Sequence, residues 1–374
     1  MRYRKASHKI EMKKRMVVKI GTSILARSRG SREGSILAPL VKEICELKAK
    51  GAEFILVTSG AIGAGMKDLG WSRRPEDIKK KQAAAAVGQV SLMRTYQKLF
   101  KEQRVLVGQV LLSRGDFDDR KRYLNAQSTL QTLLDLGVVP VINENDTVAV
   151  EEIKFGDNDQ LSALVAAKMD ADILAILSDV DGLYRSMQEK SVIPLVAEIT
   201  PEIERLAGKE SESGLGTGGM SSKIDAAKIA TVSGVVTVVA NGARRNVIAD
   251  ILEGKSVGTK FVSAGTLTAK EKWILFGAVP RGEIVVDGGA EKVLRESRKS
   301  LLAAGVTGLK GMFRKGDVVV LKNPGEEEFA RGVISFSSEE MARIKGKKSS
   351  EIAAVLGRHL NSSEIIHRDS LVLI

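Results

Sequence analysis

Carboxylate and amide side chains are concentrated at two places in the middle of the chain. Asn143–Asp146 (NEND) follows the apolar, β-branched run Val138–Ile142, which is typical of a buried strand. Gly156–Asp159 (GDND) comes directly before a helical pattern with apolar residues at Leu161, Leu164, Val165 and Met169. Ligands gather at such strand exits and helix entrances in open α/β sheets. The sequence therefore indicates a ligand site, although a helix cap at Asp157 or Asn158 and a solvated turn would use the same residues.

A glycine-rich turn follows an earlier predicted strand. Glu53–Val57 runs into Thr58–Gly65 (TSGAIGAG), which leads into a helix of small residues. Backbone N–H groups converge at a helix N-terminus, so this turn could bind an anion. Glycines that only allow a helix to pack closely on a strand are an equally good explanation.

A second glycine-rich loop, Gly214–Lys223 (GLGTGGMSSK), precedes an amphipathic helix. It matches G-x-G-x-x-G, but a dinucleotide fingerprint must follow a strand, and here a helix and a polar, acidic loop come first. Lys223 lies in the first turn of the helix, where its charge opposes the macrodipole by roughly 0.3–1 kcal/mol. A phosphate bound at this terminus would reverse that sign. The alternative is a solvated lysine that leans away from the helix.

The elements that must position these residues alternate along the chain. Strands are predicted at 16–20, 53–57, 105–112, 138–142, 173–177 and 235–240, with helices at 36–50, 78–102, 122–136 and 224–232. Alternation of this kind predicts a three-layer αβα sandwich with a mainly parallel open sheet.

Beyond residue 254 the pattern changes. Short β-rich runs at 283–287, 311–314, 317–321 and 329–336 are broken by glycine and predict a small β-barrel-like domain. We therefore predict a basic N-terminal arm (1–15), an α/β domain (16–254), a linker (255–274) and a β-rich domain (275–374).

Composition limits the function classes. The 374 residues carry a net charge of +12, of which +6 falls within residues 1–16, and a basic balance suits acidic ligands such as nucleotides. The single cysteine, Cys45, excludes a disulfide framework. No apolar run is long enough to span a membrane and no signal peptide precedes the first strand, so we expect a cytoplasmic protein.

Several motifs, taken in order, resemble those of the glutamate 5-kinases, which belong to the amino acid kinase family. They are Val17–Ser23 (VVKIGTS), Val57–Ile62, Val141–Asp146, Gly156–Asp159 and Gly214–Lys223. Gly277–Gly289, Phe313–Asp317 and Ala330–Gly332 are similar to the PUA domain that bacterial members append. The resemblance covers nearly the whole chain from Met16 and makes 16–254 the kinase domain and 275–374 a PUA-like domain.

The resemblance implies ATP-dependent phosphorylation of the γ-carboxylate of L-glutamate, the first step of proline synthesis, with feedback inhibition by proline. It implies catalytic roles for Lys19 and Lys223, which would neutralise the transferred phosphoryl group, and for Asp159, which would hold both lysines. The positions that match glutamate-binding residues are Ser59, Asp146 and Asn158. Those that match ATP contacts are Lys19, Ser178, Asp179, Thr217, Gly218, Gly219, Met220, Ser221, Ser222 and Lys223. Arg185–Lys190 departs from the family pattern, which concerns only the rim of the nucleotide site.

The chemistry of the residues agrees with this function. Phosphoryl transfer needs alignment and charge neutralisation, and a carboxylate acceptor is already ionised at neutral pH. We expect Mg²⁺ to arrive on ATP, with no protein metal site. The alternatives are a kinase acting on aspartate, N-acetylglutamate, carbamate or UMP, and, less favoured, an RNA-binding protein with a PUA-like domain. We also expect a homo-oligomer.

Overall fold

The computed structural model describes residues 14–27, 36–148, 158–186, 188, 190–208, 219–263, 265, 267–297 and 299–374. These residues form two compact units. The first draws on Met1–Asp116 and Leu124–Thr266, and the second on Phe117–Tyr123 and Leu267–Ile374. Most of the predicted arm therefore lies outside the described residues. No helix within the described ranges is long and apolar enough to cross a membrane.

The first unit is built on a mainly parallel sheet. The strands described in this unit are β1 (Arg15–Ile20), β2 (Glu53–Thr58), β3 (Val107–Leu112), β4 (Val139–Glu144), β5 (Ile173–Ser178), β6 (Tyr184–Ser186), β7 (Ser191–Val192), β8 (Leu195–Val196), β9 (Val236–Asn241) and β10 (Thr259–Phe261). Their order in the sheet is β3-β4-β2-β1-β5-β9-β10-β8, and β6 pairs separately with β7. Only the β9–β10 pairing in this described sheet is antiparallel.

Helices cover both faces of this sheet. The described helices between residues 22 and 252 are α1 (Thr22–Arg27), α2 (Leu37–Ala49), α3 (Ala61–Asp68), α4 (Ile78–Glu102), α5 (Arg114–Asp118), α6 (Arg120–Asp135), α7 (Asn158–Lys168), α8 (Pro201–Gly208), α9 (Met220–Val232) and α10 (Val247–Leu252). Part of α5 and the start of α6 belong to the second unit. Apolar side chains of α2, α4 and α10 share one buried cluster with Val18 and Ile20 of β1. Successive strand residues point to opposite faces, so Lys19 points to the other face, which α7 covers. The predicted αβα architecture is confirmed.

Two glycines allow α3 and α4 to pack backbone against backbone. A Cβ atom on Gly65 would lie 1.7 Å from the carbonyl oxygen of Ala84, and one on Gly88 would lie 1.9 Å from that of Ala61. Gly60, before α3, has a φ of 86°, which favours glycine. Gly65 of the TSGAIGAG turn is therefore explained by a helix–helix contact, whereas the prediction considered a helix–strand contact.

The second unit has its own core and its own sheet. Its elements from residue 267 are α11 (Ala269–Lys272), a π-helical turn (Trp273–Gly277), β11 (Gly282–Val286), α12 (Gly288–Ser297), β12 (Leu301–Leu302), β13 (Val306–Gly311), β14 (Val318–Lys322), β15 (Glu328–Val333), α13 (Ser338–Ile344), α14 (Ser349–Leu356), β16 (Glu364–Ile366) and β17 (Leu371–Leu373). The larger sheet has the order β13-β11-β14-β15-β17, and β12 pairs with β16. The predicted strand at 311–314 was wrong, because β13 ends at Gly311 and residues 312–314 form no strand.

Described residues of the predicted linker belong to elements of both units. The predicted linker, 255–274, contains β10, which pairs with β8 and β9 of the first unit, and α11 of the second. The predicted domain boundaries stay a prediction.

Candidate active site

Two lysines from different elements meet one buried carboxylate. The Nζ atom of Lys19 lies 2.6 Å from Oδ1 of Asp159, and the Nζ atom of Lys223 lies 3.1 Å from Oδ2 of the same residue. All three residues are buried, with exposed fractions of 4% for Lys19, 0% for Asp159 and 5% for Lys223. The structure thus brings together three residues that are 140 and 64 positions apart in the sequence.

The local fold explains how these residues meet. Lys19 lies near the end of the central strand β1 and points to the face that α7 covers. Asp159 lies in the first turn of α7 and Lys223 in the first turn of α9, and these two helices pack against each other. Ser222, beside Lys223, also donates a hydrogen bond of 2.9 Å to Oδ2 of Asp159.

The electrostatics favour a charged carboxylate between two charged amines. Burial raises the pKa of Asp159, but the charges and hydrogen bonds of Lys19 and Lys223 outweigh burial and lower this pKa to about 2. A buried cation in the first turn of a helix needs a nearby negative charge. Asp159 supplies that charge for Lys223, so this lysine does not lean into solvent as the alternative reading supposed. With two lysines and one carboxylate the cluster keeps a net positive charge, which suits a phosphate.

A second group of polar side chains lies beside this cluster. The side-chain nitrogen of Asn158 lies within hydrogen-bonding distance of the backbone oxygen of Thr58 (2.7 Å), Oγ of Ser59 (3.1 Å) and Oδ1 of Asn143 (2.9 Å). The side-chain nitrogen of Asn143 donates in turn to Oε1 of Gln89 at 2.9 Å. The predicted substrate-binding residues Ser59 and Asn158 are therefore in contact at the ends of β2 and β4.

Sequence reasoning missed Gln89 and gave Asn143 no role of its own. Asn143 stood inside the NEND cluster, which was a usable signal. Gln89 lies in the middle of α4, within an ordinary helical pattern, so no local signal marks it.

Asp146, the remaining predicted substrate-binding residue, lies in the turn after β4 and is half-buried. The preceding NEND residue Asn145 donates its backbone N–H to the oxygen of Leu112 at 2.9 Å, which ties this turn to β3. Asp157, the alternative helix cap, lies outside the described residues, as do residues 149–156. The role of Asp146 stays a prediction.

The predicted nucleotide residues lie at the ends of neighbouring elements. Ser178 ends β5, and its hydroxyl lies 3.1 Å from Oδ1 of Asp179. Gly219 immediately precedes α9, and Met220, Ser221 and Ser222 form its first residues. Thr217 and Gly218 lie outside the described residues. In the described part of the chain, no group of three or more histidine, cysteine or acidic side chains is arranged to hold a metal ion.

Comparisons with known proteins match both units. The model of the "Amino acid kinase family" matches residues 14–241, and the model of the "PUA domain" matches residues 282–356.

Close relatives align along nearly the whole chain. Glutamate 5-kinase of Pelobacter propionicus is 46% identical over 366 residues, covering 96% of this chain and 98% of the relative. The enzyme of the same name from Carboxydothermus hydrogenoformans is 48% identical over 366 residues, with 96% and 98% of the two chains covered. That of Cupriavidus taiwanensis is 46% identical and covers 98% and 99%.

Proposed function

Because the chain belongs to the amino acid kinase family, it is a kinase, and we propose that it transfers the γ-phosphoryl group of ATP to the γ-carboxylate of L-glutamate. The product is γ-glutamyl phosphate, the first intermediate of proline biosynthesis. The name of the relatives that align over 96% of the chain supports this acceptor. The buried cluster of Lys19, Asp159 and Lys223 is the observation that carries the chemistry.

The transfer forms a bond between an oxygen of the γ-carboxylate and the γ-phosphorus. It breaks the bond from that phosphorus to the bridging oxygen, which leaves with ADP. Lys19 and Lys223 neutralise the charge on the transferred group, and Asp159 holds both amines in one geometry. Their positions are set by a buried ion cluster, so little reorganisation is needed during the reaction.

Serine hydroxyls, backbone N–H groups and lysine amines are the donors that phosphates require. Ser178, Asp179 and the loop and helix start that include Gly219–Ser222 would hold the nucleotide. Mg²⁺ would arrive bound to ATP and would supply further charge neutralisation on the nucleotide phosphates.

The decisive test is glutamate-dependent release of ADP by the purified chain. Trapping the acyl phosphate with hydroxylamine would identify the product. Aspartate, N-acetylglutamate, carbamate and UMP serve as competing acceptors, and we expect L-glutamate to have the highest kcat/KM. Higher turnover with another acceptor would contradict the proposal.

We further propose inhibition by L-proline at the same site. Proline shares the amine and α-carboxylate of glutamate but lacks the γ-carboxylate, so it would occupy part of the site formed by residues 143–159. Raising the glutamate concentration should then relieve the inhibition. Noncompetitive inhibition that changes in this segment leave unaffected would contradict this idea.

Other features stay predictions. We expect the enzyme to act in the cytoplasm. We also expect it to be a homo-oligomer, and sedimentation of the purified chain would test that oligomeric state. RNA binding by the PUA domain should weaken steeply as salt rises, because phosphate contacts release counterions. Salt-independent retention on RNA, or none, would exclude this function.

A further inference from the structure

Three amide side chains form a relay whose direction can be derived. The backbone oxygen of Thr58 can only accept a hydrogen bond, so the atom of Asn158 that meets it is the side-chain nitrogen. The atom of Asn143 that meets this nitrogen must then be its oxygen, Oδ1. The side-chain nitrogen of Asn143 therefore faces Gln89 and donates a hydrogen bond to its side-chain oxygen, Oε1. One carbonyl thus sets the orientation of all three amides.

The relay ends in two atoms of opposite character. Oδ1 of Asn158, an acceptor, and Nε2 of Gln89, a donor, are both buried and have no hydrogen-bond partner among the described residues. Leaving a buried polar atom unpaired is costly in a folded protein, so such atoms point to a ligand. The unpaired donor of Gln89 complements a carboxylate oxygen, which an acceptor amino acid carries.

We propose that Gln89 is a specificity residue of this site, whose carboxamide donates a hydrogen bond to the α-carboxylate of the acceptor amino acid. This inference rests on the proposed function, because it assigns a contact to the substrate of that reaction. It adds a residue from the middle of α4 to a site otherwise formed at strand ends and helix starts.

The order of the relay identifies which carboxylate Gln89 meets. Asn158 is the neighbour of Asp159, where the lysines gather and where the γ-carboxylate must receive the phosphoryl group. Gln89 lies at the far end of the relay, with Asn143 between it and Asn158. The carboxylate near Gln89 is therefore the one remote from the phosphoryl group.

Helix packing fixes the position of Gln89. The preceding residue, Gly88, is in backbone contact with α3, since a Cβ there would lie 1.9 Å from the oxygen of Ala61. Because α3 begins at the exit of β2, this contact holds Gln89 beside the strand ends that carry Ser59 and Asn143. The side chain is placed by rigid elements, as a specificity residue requires.

Gln89→Glu separates this role from a structural one. The variant keeps an oxygen that accepts from Asn143, but it replaces the N–H donor with an anionic oxygen that repels a carboxylate. We expect the KM for L-glutamate to rise about 10- to 100-fold, with the KM for ATP nearly unchanged. Gln89→Met, which loses both the donor and the oxygen that accepts from Asn143 but adds no charge, should show a smaller rise. Gln97→Glu, at an exposed position of the same helix, is the matched control and should leave both constants unchanged.

An analogue tests which carboxylate is bound. 4-Aminobutyrate is glutamate without its α-carboxylate, so the preference for glutamate over this analogue should shrink in Gln89→Met. An unchanged preference, despite a higher KM for glutamate, would overturn the assignment to the α-carboxylate.

The outcomes distinguish this inference from the proposed function. A wild-type chain without glutamate-dependent ADP release would overturn both. A wild-type chain that phosphorylates glutamate, together with a Gln89→Glu variant of normal glutamate KM, would overturn only the role of Gln89 and leave it as a structural partner of Asn143.

Discussion

At the scale of single side chains, the proposed chemistry depends most on Asp159, the acid that both lysines contact. It is fully buried and contacts both Lys19 and Lys223. Removing its charge leaves two buried amines without a common partner. Such a loss disturbs geometry at the reacting group even though Asp159 itself carries no positive charge.

We expect Asp159→Asn, Lys19→Ala and Lys223→Ala each to lower kcat by at least about 100-fold, while the KM for glutamate changes little. In the proposed mechanism, the charge that these residues meet develops on the phosphoryl group and not on the bound acceptor. Lys228→Ala, on the same helix as Lys223 but half-exposed and paired with Glu204, is the control and should keep normal kcat. Steady-state kinetics and thermal unfolding should be measured together, so that loss of folding is recognised. An Asp159→Asn enzyme within about twofold of wild-type kcat would return Asp159 to the role of a helix-entrance acid.

The substitution Asp146→Ala tests how the enzyme chooses its acceptor. Free glutamate has an α-ammonium that N-acetylglutamate lacks, and we assign its binding to Asp146. If the bound substrate buries this pair, removing one partner of it costs roughly 2–5 kcal/mol. Asp146→Ala should therefore raise the KM for glutamate about thirtyfold or more and leave the KM for ATP unchanged. Any preference of the enzyme for glutamate over N-acetylglutamate should become smaller. A normal glutamate KM in this variant would show that another group holds the ammonium.

The burial of Lys168 makes the stability of the protein depend on pH. This residue ends α7 with an exposed fraction of 2%, and burial lowers its pKa to about 7, although the charge of Asp116 acts in the opposite direction. Between this value and the ordinary pKa near 10.4, the unfolded chain binds more protons than the folded chain. The free energy of unfolding should therefore rise with pH across this range.

Lys168→Met removes the buried amine and should remove this rise. We expect the variant to be more stable than wild type at pH 6, by about 1–4 kcal/mol, with the difference shrinking as pH approaches 10. Denaturant unfolding at several pH values measures it. A difference that does not vary with pH would contradict the argument.

Secondary-structure elements position these side chains, and the contact between α3 and α4 is the clearest case. Gly65 and Gly88 let the two backbones touch, which no larger residue could permit. The contact anchors the turn after β2 on one side and Gln89 on the other. Packing of two helices thus determines the geometry of the proposed acceptor site.

We expect Gly65→Ala to destabilise the protein by about 1–3 kcal/mol or more, because the new methyl would collide with the backbone of Ala84. Gly63→Ala lies in the same helix and meets nothing within 4 Å. That control should be neutral or stabilising by about 0.5–1 kcal/mol, since alanine is the better helix former. Chemical denaturation of both variants is the measurement, and equal effects would contradict the packing argument.

At the scale of the whole molecule, the candidate site lies within one of two compact units. Each candidate catalytic and binding residue belongs to the first unit, before Asn241. The second unit also includes Phe117–Tyr123: Trp273 donates from Nε1 to the oxygen of Phe117 at 3.2 Å, and Val279 donates its N–H to Asp118 at 2.8 Å. Arg281 forms an ion pair with Asp118 as well.

A chain truncated near Lys270 should therefore keep glutamate-dependent kcat within about twofold but unfold at a lower temperature, because residues 117–123 lose their partners. ADP release and thermal unfolding of the truncated and full-length chains test both statements. A folded truncation without turnover would contradict the division of tasks.

The sequence by itself indicated the alternation of strands and helices in the first unit and, through the motif resemblance, the two lysines and the acid that the structure brings into contact. Hydrophobic periodicity and glycine turns are local signals, so α2, α4, β2 and β5 could be predicted within two residues. The motif resemblance added predicted roles for individual residues. Spacing alone cannot decide which of the several acids in NEND and GDND has which role.

Only the tertiary structure decided which distant groups meet. The relay from Asn158 through Asn143 to Gln89 joins α7, β4 and α4, and no periodicity encodes such a contact. The same holds for β10, which completes the first sheet from within a predicted linker, and for residues 117–123, which join the second unit. These features depend on pairing between residues far apart in the chain. Their free energy comes from packing and hydrogen bonds that exist only once the elements are assembled.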